Sequence, residues 1–140
     1  MNFLLSLEIS ASGLTAQRKR MDVIASNLAN LETTRTKEGG PYRRKMVIMS
    51  ARPVTDFNEM LTRQFEGVKI DDIVEDKSPF RKIFNPSHPD ADKEGYLLKP
   101  NVDLVVETTN MLMATRVYEA NLAVLRSTRG MALKALEIGR

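Results

Sequence analysis

Apolar residues recur in alternating steps of three and four at both ends of this chain. Near the N-terminus the series runs Leu4, Leu7, Ala11, Leu14, Met21, Ala25 and Leu28, interrupted once by Arg18. Near the C-terminus it runs Leu104, Met111, Tyr118, Leu122, Leu125, Ala132 and Leu136, with Thr108, Thr115 and Arg129 on the same seam. That spacing presents one face of a helix to another helix. It predicts a helix from Asn2 to Asn30, and a second that starts at a cap on Asn101 or Asp103, continues to Ile138 and is stopped by Gly139. The second helix spans roughly 50 Å. A further C-terminal seam, Val106, Met113, Val117, Ala120, Val124 and Met131, is also built from steps of three and four. It can meet a neighbouring molecule or pack on the chain's own middle segment.

Between the helices the pattern changes. Gly39-Gly40-Pro41 predicts a turn. Tyr42 to Ser50 reads as a strand that Pro53 ends or places on an edge. Asp56 to Gln64 reads as one or two helical turns. Val68, Ile70 and Val74 alternate with charged residues while Ile73 falls out of phase, which predicts a bulged strand from Val68 to Glu75. Phe80 to Phe84 and Gly95 to Leu98 are further strand candidates, separated by the loop Asn85 to Asp90 with its two prolines. The expected fold class is α+β: two long terminal helices pairing as an antiparallel, coiled-coil-like hairpin, with a small β-rich, loop-rich middle. The expected divisions are 1–30, 31–100 and 101–140.

Energetics make the helices dependent on partners. Burying one Leu or Met side chain is worth about 1.5–3 kcal/mol. The middle segment is too small to cover both stripes, so the helices must pair with each other, with copies of the chain or with different partners. Gly13 costs its helix ~1 kcal/mol relative to Ala; it reads either as a weak spot or as a place of close approach by another backbone.

Composition narrows the function classes. The 140 residues suit one compact domain or two small parts, with 42% hydrophobic content, eight Met and a net charge of +3. Met suits adaptable contacts. Basic triplets at Arg18-Lys19-Arg20 and Arg43-Arg44-Lys45 lack the aromatic or Gly-rich framework of a nucleic-acid binder and read as solvated faces. The chain has no Cys, which excludes disulfides and thiolate metal sites. No apolar run is long enough for a membrane span. Met1 to Leu5 lacks a basic flank and is broken by Ser6 and Glu8, unlike a cleaved signal peptide.

Catalytic chemistry finds little foothold. His88, Asp90 and Asp92 offer too few ligands for a metal and read as a hydrogen-bonded turn. Asp71, Asp72, Glu75 and Asp76 have no opposing acidic cluster and read as a solvated face. Gly39-Gly40 lacks the Lys and Ser/Thr of a phosphate loop. No catalytic residue, metal ligand, cofactor or small-molecule substrate is expected; a small hydrolase using His88 and Asp90 is a distant reading.

An ordered set of stretches is more specific than any of these. Ser10 to Gln17, then Arg20 to Asn30, is followed by Thr33-Thr34-Arg35-Thr36 and Gly39 to Arg44. Asn85 to Asp92, Glu94-Gly95-Tyr96, Pro100 to Asp103, Arg116 to Asn121 and Met131 to Gly139 complete it. Together they resemble the bacterial flagellar rod and hook proteins, in particular those of the proximal rod, over nearly the whole chain. One departure is Ser26, where the wider family often has the first of two paired asparagines. The resemblance implies a structural subunit whose terminal helices form a layer lining the rod channel while the middle faces outward. It implies torque transmission, export through the flagellar type III apparatus without a cleaved signal, and a periplasmic position in the basal body. The implied partners are copies of itself, other proximal and distal rod proteins, and the rod adaptor beside the membrane ring. The expected subunit-interface residues are Leu4, Leu7, Ala11, Leu14, Met21, Ala25, Asn27, Leu28, Asn30, Met111, Tyr118, Asn121, Leu122, Leu125, Ala132 and Leu136. A cytoplasmic coiled-coil adaptor or chaperone is the alternative.

Overall fold

The computed structural model describes residues 3–53 and 66–138. The expected helical turns at Asp56 to Gln64 and the stop at Gly139 lie outside them. Helix α1 (Phe3–Ala29) is followed by strands β1 (Lys45–Pro53), β2 (Glu66–Glu75), β3 (Arg81–Phe84) and β4 (Tyr96–Lys99), then helix α2 (Leu104–Ile138). The α+β reading with two long terminal helices is what the structure shows.

The helices are antiparallel. Gly13 lies against Asn121, Met21 meets Thr115 and Asn27 meets Glu107, so the chain directions oppose. Small residues let them approach. A methyl on Gly13 would sit 3.0 Å from Asn121 Nδ2, which accounts for glycine here: the crowding group is a side chain of the partner helix rather than its backbone. Ser10 and Ala16 on α1 and Ala114 and Thr128 on α2 are buried along with Gly13. Asp103 caps α2, its Oδ1 accepting from the backbone N–H of Val105 at 2.9 Å and Val106 at 3.1 Å.

β1 and β2 form an antiparallel hairpin that runs back along α1. The anchors follow in order: Asn27 holds Lys45, Ser12 Oγ accepts from Val68 N–H at 3.0 Å, and Glu8 pairs with Arg52 at 3.6 Å. α1 is therefore the middle layer, with α2 on one side and the hairpin on the other. The register shifts beside Ile48 and Met49, where Ile48 pairs with Asp72 and Met49 with Ile70. The extra residue, Asp71, bulges out. Cross-strand partners share a face, so the bulge returns Ile73 (opposite Val47) to the face of Ile70 (opposite Met49). The broken alternation in the sequence is the signature of that bulge.

β1 starts later than its pattern predicts. Tyr42 N–H donates to Thr33 O at 3.0 Å and Arg44 N–H to Asn101 Oδ1 at 2.8 Å, so both N–H groups are spent outside the ladder, and Arg44 reaches it only through its carbonyl, which accepts from Asp76 N–H at 2.8 Å. β3 and β4 pair from Arg81 with Lys99 to Phe84 with Tyr96, whose rings meet edge-on at 5.4 Å. The loop between them turns at Gly95, whose φ of +82° favours glycine. Leu97 of β4 and Val102, just before α2, are both buried.

Candidate assembly interface

A buried polar cluster joins the two helices to the middle segment. Asn27 has all four hydrogen-bonding positions of its amide filled. Nδ2 donates to Lys45 O at 2.8 Å and to Glu107 Oε2 at 2.9 Å. Oδ1 accepts from Tyr42 Oη–H at 3.0 Å and from Lys45 N–H at 2.9 Å. Arg44 donates from Nε at 2.9 Å and Nη2 at 2.8 Å to Glu107 Oε1. Glu107 is 0% exposed, so its charge is tolerable only because both oxygens are paired. Arg44 also reaches Asp76 at 3.4 Å. Asn101 adds donors to Asp76 O at 3.0 Å and Ser78 O at 3.3 Å.

Titration follows these contacts. The Ser78 hydroxyl and backbone N–H, then Arg44, hold the Asp76 carboxyl below its usual value of 3.8. Burial pulls the Arg44 guanidinium down, but Glu107 and Asp76 together outweigh it and raise the group above its ordinary value. Asp71 is likewise lowered, by the Ser50 hydroxyl and then Lys69.

This cluster corrects two sequence expectations. Arg44 belonged to a triplet read as solvated, and Asp76 to an acidic run read the same way; both are part of the network. Tyr42 and Glu107 carried no expected role. Glu107 leaves a trace in the sequence, an acid one turn into an otherwise apolar helix start. Nothing in the sequence pairs it with Arg44, 63 residues away. His88 and Asp92 serve turns and Asp90 ties two loops together: His88 Nδ1 accepts from Asp90 N–H at 3.1 Å, Asp92 Oδ1 accepts from Glu94 and Tyr96 N–H, and Asp90 Oδ2 accepts from the Thr34 hydroxyl at 2.8 Å.

The expected interface residues fall into distinct positions. On α2, Met111, Tyr118, Asn121, Leu122, Leu125 and Ala132 are half-buried, while Leu136 is exposed. On α1, Leu7, Leu14, Met21 and Leu28 are half-buried. Leu4, Ala11 and Ala25 are exposed, Leu4 to 79%. The most buried α1 positions are instead Leu5, Ser10, Gly13, Ala16, Val23, Ile24 and Asn27. The stripe is displaced because α1 is covered from two sides, by α2 and by the hairpin. Asn27 faces inward, and Asn30 closes the helix end by donating to Ser26 O at 2.9 Å. Ser26 itself is exposed, with Oγ 3.4 Å from Tyr42 Oη.

The second α2 seam does not pack on the middle segment. Val106, Met113, Val117, Ala120, Val124 and Met131 are all exposed. Counting residue for residue from the antiparallel Gly13–Asn121 contact sets Phe3 level with Met131, so Ala132 to Ile138 extend past the start of the described part of α1. Leu133, Leu136 and Ile138 are exposed there, Ile138 to 87%. The chain exposes 10425 Å², against about 7300 Å² for a compact monomer of its mass. An uncovered apolar stripe from Val106 to Met131 on a 35-residue helix is a candidate assembly surface.

Such an uncovered face suits a structural subunit that neighbours complete. Comparison with known proteins agrees. Residues 7–37 match the family model of flagella basal body rod proteins, and residues 93–138 that of the flagellar basal body rod FlgEFG protein C-terminal region. The chain is 48% identical to the flagellar basal-body rod protein FlgC of Bacillus subtilis, over 96% of this chain and 97% of that protein. It is 42% identical to FlgC of Borreliella burgdorferi and 39% identical to FlgC of Escherichia coli O6:H1, each over 95% of both chains. The chain belongs to the FlgC family of flagellar basal-body rod proteins.

Proposed function

We propose that this chain is a structural subunit of the proximal rod of the bacterial flagellar basal body, and that it assembles through the outer faces of its terminal helices. The observation that carries the mode of assembly is the exposed seam Val106 to Met131, which runs parallel to the α1-facing seam on the same helix. The full-length likeness to rod proteins favours this reading over a cytoplasmic coiled-coil adaptor or chaperone.

In the assembled rod, α1 and α2 form the inner layer around the export channel and the hairpin lies outside it, where α1 already holds it. Leu4, Ala11 and Ala25 on α1 and the second seam on α2 meet copies of the chain and other rod proteins, including the distal rod and the adaptor beside the membrane ring. The subunit leaves the cytoplasm through the flagellar export apparatus, without a cleaved signal, and takes its place in the periplasm. Its work is mechanical: it passes torque and supplies no catalytic group. The rigidity for that comes from the paired helices and the buried cluster that ties them to the middle segment.

Val117→Asp with Val124→Asp tests the assembly surface. Both residues are exposed in the single chain, so the helical circular dichroism of the purified variant stays at the parent level. Cells carrying it lose motility and complete rods by electron microscopy. Normal rods in cells with both substitutions overturn the proposed surface.

A further inference from the structure

The α1–α2 interface carries chemical identity mainly at one end. Elsewhere the buried residues of the two helices are small or aliphatic: Leu5, Ser10, Gly13, Ala16, Val23 and Ile24 on one helix, Ala114 and Thr128 on the other. On α2 the line Glu107, Ala114, Asn121, Thr128 repeats every seven residues. A slip of one heptad therefore brings another inward-facing residue to each inward position. Apolar contacts tolerate such exchanges; buried polar groups do not. Glu107 is gripped from two separate elements, by Asn27 of α1 on Oε2 and by Arg44 of the preceding loop on Oε1. Sliding α2 in either direction parts Asn27 from Glu107 and leaves buried hydrogen-bonding groups unpaired.

We propose that Asn27, Arg44 and Glu107 form a register lock: positioning residues that fix which turn of α2 faces which turn of α1. Asn101 closes the lock from the loop, its Oδ1 holding Arg44 N–H at 2.8 Å. The register in turn aligns the exposed α2 seam with the outer face of α1. The lock is a property of the single chain and stands independently of the rod reading.

The chain has no Cys, so introduced pairs report register cleanly. Met21→Cys with Thr115→Cys marks the native register, because the parent Oγ1 and Sδ atoms lie 3.7 Å apart. Met21→Cys with Leu122→Cys, or with Thr108→Cys, marks slips of one heptad in either direction. Each pair is oxidised in the full chain, in the native background and in an Asn27→Leu, Arg44→Met, Glu107→Leu background. The native pair dominates in the first. In the second, helical signal persists but the native-to-slipped ratio falls by at least about tenfold, equivalent to ~1.4 kcal/mol. An unchanged ratio overturns the lock, and so does a native background without register preference. If the triple variant loses its helical signal, Glu107→Gln decides, since it keeps the shape and removes the charge. A fall in its ratio of about threefold or more supports the lock; no fall overturns it.

Discussion

Asn27 on α1 donates its amide N–H to Glu107 Oε2 on α2 at 2.9 Å, across 80 residues of sequence. The contact is the meeting point of both helices and the loop that leads into the hairpin. Its two residues are buried, Asn27 to within 1% of full burial. Stability should therefore be more sensitive here than along the apolar seams.

Asn27→Ala removes the partner of four groups at once: Lys45 N–H, Lys45 C=O, Tyr42 Oη–H and Glu107. Unsatisfied buried groups put the expected loss at about 3 kcal/mol. Urea unfolding of the purified chain measures it. Ser26→Ala, one position earlier and solvent-exposed, should change the midpoint little.

Gly13→Ala has opposing terms. Alanine gains ~1 kcal/mol in helix propensity, but its methyl lies 3.0 Å from Asn121 Nδ2. The expected result is no gain from Gly13→Ala alone and a gain when Asn121→Ala opens the space, so thermal unfolding of the four chains in that cycle should show coupling. Gly13→Leu overfills the gap and should cost about 1–3 kcal/mol.

Gln17 on α1 has a buried Oε1 without a hydrogen-bond partner among the described residues. An unpaired buried acceptor opposes folding. Gln17→Met keeps the length and removes the polar atom, so the variant should be more stable by about 1 kcal/mol in urea. An unchanged or lower midpoint contradicts that account.

Asp76 makes stability depend on acid pH. Its folded carboxyl titrates below the usual 3.8, held there by Ser78 and then Arg44. A lowered folded value means the stabilisation is complete above the unfolded value and fades as pH falls through the folded one. Comparing urea midpoints at neutral pH and in acid, Asp76→Asn should start lower and fall less steeply. Asp71, also lowered, keeps the slope from vanishing.

The pattern of apolar positions was a good guide to elements whose partners are generic. The end of α1 near Asn30, the start of α2 at Asp103, the Gly39-Gly40 turn, the small sheet and a bulge within Val68 to Glu75 were legible, because each leaves a local trace in spacing or residue type. The start of β1 was not. Tyr42 and Arg44 look like strand residues, and only the contacts of their N–H groups with Thr33 and Asn101 take those donors out of the ladder. The α1 face was misplaced by about one position for a similar reason: its stripe anticipates one neighbour, and the folded helix has two.

What the chain alone determined was periodicity: two amphipathic helices, short strands between them, and more apolar surface than one small domain can cover. Periodicity is a one-dimensional property, and it says which faces are sticky without saying what covers them. The tertiary structure decided that α1 would be the central layer, that the second α2 seam would stay open, and that Arg44 and Glu107 would share a buried bond. Those outcomes depend on groups far apart in the chain. They are worth their desolvation only when three-dimensional packing brings charge, amide and hydroxyl to hydrogen-bonding distance together.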